Sequence, residues 1–140
     1  MEKTREEMVQ WVMDVAKAKE FNCELEHSKD NDNQDIIRMS FGLDSALSFV
    51  NIAIIADEVR FSCYGFIDPK AGERKAEVAE FLMRACAGDQ CGRFSLDYDE
   101  GEIYYMWCIP YVACVGEEDI EALWTIPWLR FNDWAMGCSK

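Results

Sequence analysis

Residues 92–110 read GRFSLDYDEGEIYYMWCIP, two strands around a tight turn. Phe94, Leu96 and Tyr98 alternate with Arg93, Ser95 and Asp97, so the first strand has an apolar face and a wet one. Asp99-Glu100-Gly101 suits a three-residue hairpin loop in which Gly101 takes the positive φ of a bulged turn. The return strand, residues 103–109, is apolar on both faces. One face is expected to meet the helices, the other a dimer mate, a client or the C-terminal segment.

Outward from the hairpin, the chain alternates helical and strand periods. Thr4 with Glu7 matches a capping box, and Met8, Trp11, Val12 and Val15 then recur at helical spacing over residues 5–20. Phe21, Cys23, Leu25 and His27 alternate as a half-buried strand, with His27 on its inward face. Ile37, Met39 and Phe41 alternate in the next, and residues 49–56 and 59–66 are rich in β-branched and aromatic side chains. Residues 29–33, 42–45 and 57–58 read as turns. Connections so short exclude parallel crossovers, which makes these four strands an antiparallel meander.

Asp68-Pro69 or Gly72 is expected to begin a second helix striped by Val78, Phe81, Leu82, Ala85 and Cys86 and stopped by Gly88. After the hairpin, Glu117, Glu118 and Asp119 suit a helix N-terminus, and Ile120, Leu123, Trp124, Trp128 and Phe131 continue at helical spacing. Pro127 predicts a kink or two short helices. The reading is one α+β domain over residues 1–140, in the order α-β4-α-β2-α.

Composition excludes several function classes. Lys and Arg number 14 against 27 Asp and Glu, a net charge of −13 that repels nucleic acid and anionic membranes. No run approaches a membrane span and the N-terminus lacks the apolar core of a signal peptide, so a cytoplasmic protein is expected. The seven cysteines, Cys23, Cys63, Cys86, Cys91, Cys108, Cys114 and Cys138, are irregularly spaced and read as thiols acting as small hydrophobes. Their closest spacings, Cys86-x4-Cys91 and Cys108-x5-Cys114, do not fit a zinc site, and a thiol-based metal or redox role is an alternative. The run from Asp30 to Asp35 fails as a calcium loop, with Asp35 and Phe41 where glycine and glutamate are required.

His27 is the only histidine, and no nucleophile has an evident local base, so neither catalysis nor a cofactor is expected. A small-molecule sensor or enzyme would need polar groups such as His27, Asp97 and Tyr105 to converge on a pocket. Trp124, Trp128, Phe131 and Trp134 form a dense aromatic group, read either as core or as an interface.

With Gly92, Phe94, Leu96, Asp97, Gly101 and Glu102 followed by the apolar strand 103–110, the hairpin and the order of elements resemble the YbjN-like family. These are bacterial proteins described as putative sensory transduction regulators, similar in fold to type III secretion chaperones. The resemblance implies a non-enzymatic cytoplasmic interaction module, chaperone-like or regulatory, that forms a homodimer and binds a protein or peptide partner. Recognition would combine strand addition at a sheet edge with apolar grooves, through Tyr104, Trp107, Trp124 and Trp128 as interface aromatics.

Overall fold

Three helices lie on one side of a single antiparallel sheet. The structure, a computed structural model, describes residues 3–28, 33–42, 49–67, 71–87, 89 and 91–138, the last five as backbone. The expected turn at 29–33 lies outside these residues but for Asn33, and so do Asp68, Pro69 and Gly88.

Helix α1 (Arg5–Ala18) starts at Thr4, whose hydroxyl accepts the Glu7 amide at 3.2 Å. Strands β1 (Glu24–His27), β2 (Asp35–Gly42), β3 (Phe49–Ala56) and β4 (Arg60–Ile67) follow. A 3₁₀ turn, Gly72–Arg74, leads into α2 (Lys75–Cys86), and then come β5 (Arg93–Leu96), β6 (Ile103–Pro110) and α3 (Glu117–Cys138). The spatial order is β1-β2-β3-β4-β6-β5, with every neighbouring pair antiparallel. The return strand of the hairpin therefore sits inside the sheet beside β4. One of its two apolar faces meets the helices, and no described element covers the other.

Alternation divides the sheet cleanly. Ile37 and Met39, Val50, Ile52 and Ile54, Phe61 and Cys63, and Ile103, Tyr105 and Trp107 point to the helix side and are buried. They share one core with Met8, Val12 and Val15 of α1, Leu82 of α2, and Ile120, Leu123, Trp124 and Phe131 of α3. Gly65 of β4 lets α3 come close, because a Cβ there would stand 2.8 Å from Pro127 Cβ and 3.3 Å from the Phe131 ring.

Several expectations are corrected. Of the two expectations at Pro127, a kink or two short helices, the second is excluded, because α3 runs through Pro127 as one helix. Pro127 is fully buried at the Gly65 contact, and that packing outweighs the intrinsic cost of proline in a helix. Strand β1 is exposed along its whole length because it is an edge strand beyond the reach of the helices; Phe21 packs on Phe41 and Trp124 before the strand begins. Tyr98 is an exposed turn residue, not a strand residue. The chain leaves β5 at Asp97, whose carboxylate accepts the Asp99 and Glu100 amides at 3.0 and 3.3 Å, and Gly101 follows at φ 74°. The turn expected at 57–58 is present between β3 and β4, where Asp57 accepts the Val59 and Arg60 amides at 2.8 and 2.9 Å and so closes a turn that has no glycine. In α2 only Leu82 is fully buried, and Phe81 is exposed.

Candidate functional site: the open face of the sheet

The same alternation that fills the core sets a second population of side chains on the opposite face, where no described helix lies. In register these form three rows across the strands. One holds Ser40, Asn51, Phe66, Tyr104 and Ser95; the next holds Glu24, Arg38, Ala53, Tyr64, Met106 and Arg93; the third holds Glu26, Ile36, Ile55, Ser62 and Cys108. None of these residues belongs to the core cluster. Tyr64, Phe66 and Tyr104 form an aromatic triangle at the centre, with ring centroids 6.1 Å apart for Tyr64 and Phe66, 6.2 Å for Tyr64 and Tyr104, and 5.6 Å for Phe66 and Tyr104. Such spacing is that of interacting rings. All three are only partly buried. Burial by its neighbours pushes the Tyr64 phenol above its ordinary pKa, so it is a neutral hydrogen-bonding group at neutral pH.

Beside the triangle lies an open depression of about 920 Å³ that runs across the strands from Asn22 and Glu24, over Ser40 and Asn51, to Phe66 and Glu102. Its polar groups are partly spent on each other. Arg38 pairs with Glu26 at 2.9 Å, and Ser40 Oγ donates to Asn51 Oδ1 at 2.9 Å.

The two edges of the sheet differ. At β5, the Phe94 amide donates to Cys86 Sγ at 3.1 Å and the thiol donates back to the Phe94 carbonyl at 3.5 Å, so α2 occupies that edge. At β1 the edge is open, but it carries Glu24 and Glu26, and such charge discourages self-pairing.

Of the four aromatics expected at an interface, Tyr104 stands on the open face. Trp107 and Trp124 are core residues, and Trp128 is half-buried with its indole N–H donating to the Gly42 carbonyl at 2.8 Å. Tyr64, Phe66 and Met106 escaped the sequence reading, although large side chains on the off-core phase of β4 and β6 were the available signal.

Two buried carboxylates lie elsewhere. Asp35 joins His27 Nδ1 and Arg5 Nε, the latter at 3.3 Å, tying β2 to an exposed histidine and to α1. Asp89 accepts the Cys91 and Gly92 amides at 2.9 and 3.1 Å through Oδ1 and Arg130 Nε at 3.0 Å through Oδ2. Burial alone would raise its pKa, but these donors outweigh burial and hold the carboxyl below its ordinary value. The Tyr105 hydroxyl lies against Asp89 and Arg130 without a hydrogen bond of good geometry, and burial pushes its pKa well up.

His27, Asp97 and Tyr105 do not converge. His27 is on one edge strand and the other two are on the hairpin at the far side, Tyr105 four strand spacings and Asp97 five away, at least about 19 Å. Cys23, Cys63, Cys86, Cys91, Cys108 and Cys114 are free thiols, and no group of three metal-ligating side chains occurs among the described residues. No helix among them is long and apolar enough to cross a membrane. No family model and no curated protein matches the chain.

Proposed function

We propose that this chain is a non-enzymatic interaction module, chaperone-like or regulatory, that holds a protein or peptide partner on the open face of its sheet. The observation that carries the reading is the Tyr64–Phe66–Tyr104 triangle on a face that no described helix covers. Three clustered aromatics at partial exposure offer a large apolar contact at small entropic cost, which is the composition of interface hot spots. The depression beside them is open along the sheet, which suits an extended segment better than an enclosed small molecule. With α2 on the β5 edge, partner contacts fall on the face rather than on that edge.

The resemblance of the hairpin to the YbjN-like family supports the same reading and extends it to a cytoplasmic homodimer with a secretion-chaperone-like fold; sedimentation equilibrium of the purified chain tests the dimer. Photo-crosslinking tests the surface. p-Benzoylphenylalanine at position 64 is expected to give a discrete adduct in the host, abolished by Phe66→Glu. The same probe at Val112, which is 84% exposed on another surface, is expected to give none. Equal adducts from both positions, or none from position 64, would overturn the reading.

A further inference from the structure

The leftover charge on the open face specifies the chemistry of the partner, an inference that rests on that face being the interaction surface. Arg38 is neutralised by Glu26, and Ser40 and Asn51 satisfy each other. Arg93, the other cation of the three rows, lies outside the depression on the β5 edge strand, with its guanidinium on Met106 Sδ at 3.3 Å. Glu24 and Glu102, at the two ends of the depression, make no ion pair among the described residues. They are separated by four strand spacings, about 19 Å, across the sheet and by two register rows, about 13 Å, along it, so about 23 Å in all. An extended segment of about six residues spans this once the reach of its long terminal side chains is added. Between them the floor is Ala53 and Phe66, with the Tyr64 and Tyr104 rings alongside.

We infer that the segment bound here is an extended stretch of about six residues with a Lys or Arg near each end and apolar side chains between. The terminal cations would meet Glu24 and Glu102, and the aromatic faces would attract whichever cation lies over them. An acidic segment would instead meet two unpaired carboxylates and a net charge of −13. The same field would steer a basic partner toward the chain and make its association rate fall with salt.

Two synthetic peptides separate the outcomes, acetyl-Lys-Leu-Ser-Leu-Phe-Lys-amide and its counterpart with Glu in place of both Lys. Each is titrated into the ¹⁵N-labelled full chain. The lysine peptide is expected to shift the Ser40, Asn51, Phe66 and Tyr104 amides saturably, and the glutamate peptide to leave them unmoved. Replacing both carboxylates, Glu24→Gln with Glu102→Gln, should weaken binding about fivefold, as for two exposed ion pairs, and flatten its salt dependence. Equal binding of both peptides at these amides would overturn the charge assignment while leaving the face an interaction surface. Shifts confined to the helix side, or none, would overturn the inference outright. The crosslinking result at position 64 judges the surface independently of either peptide.

Discussion

Replacing Asp89 tests how the β5–β6 hairpin, and with it Tyr104, is held in place. The Asp89 side chain is 4% exposed and serves two backbone amides through one oxygen and Arg130 through the other. Asp89→Ala removes all three acceptor contacts. Bonds to a charged acceptor contribute about 1.5–3 kcal/mol each, but Cys91 is exposed and Arg130 is 36% exposed, so water recovers part of the loss. The expected cost is about 3 kcal/mol. Asp89→Asn keeps the oxygen that caps the amides and loses only the charge facing Arg130, for about 1 kcal/mol. Urea unfolding followed by tryptophan fluorescence measures both. The sign with pH follows from the depressed native pKa: the unfolded chain takes up the proton first, so the stabilisation is complete above the unfolded value and lost as pH falls through the native one. The gap between wild type and Asp89→Asn should therefore hold from neutral pH down to about pH 5, narrow below that, and close once the pH has fallen beneath the depressed native value. An Ala variant within about 0.5 kcal/mol of wild type, or a gap that persists in acid, would refute this account of the hairpin's anchorage.

Gly65→Ala should cost about 1–3 kcal/mol in the same assay, because its Cβ would overlap Pro127. Gly92→Ala should cost more, since its Cβ would stand 2.2 Å from the Met106 carbonyl oxygen and no rotamer can relieve a backbone clash; the reverse ranking would disprove the close approach. Trp128→Phe should lose about 0.5–1.5 kcal/mol with the hydrogen bond to Gly42, and an unchanged midpoint would disprove that bond's contribution. In native alkylation, mass spectrometry should find Cys91 and Cys108 modified early. Cys63 and Cys114 should react only on unfolding, being buried with thiol pKa values pushed up by that burial.

Local pattern made much of this fold legible. The apolar run of residues 103–109 marked the return strand, and one of its faces meets the helices as expected, through Ile103, Tyr105 and Trp107. Gly101 turns the hairpin at positive φ, and Thr4 caps α1. What escaped the sequence was tertiary. Nothing in the local period reveals that Asp89 will meet Arg130 of α3, or that Asp35, read as the sixth residue of a failed calcium loop, is a buried partner of Arg5 and His27. Pro127 breaks a helix by propensity, yet Gly65 in a distant strand provides the space that keeps it in one. Alternation showed that β4 and β6 had two faces. It could not show which face the helices would leave bare, and so Trp107 stands in the sequence as an interface candidate alongside Tyr104. Trp124, on α3, belongs to an aromatic group whose sequence fits a core as well as an interface.

The most direct test of the open face as the partner surface is the alkylation rate of Cys108 in the complex. Cys108 is exposed in the row next to Tyr64 and Met106, whereas Cys91 is exposed beyond the face, near Asp89. With the crosslinked partner supplied in excess, Cys108 modification should slow several-fold while Cys91 reacts at its free rate. Protection of Cys91 with Cys108 unchanged would contradict the account.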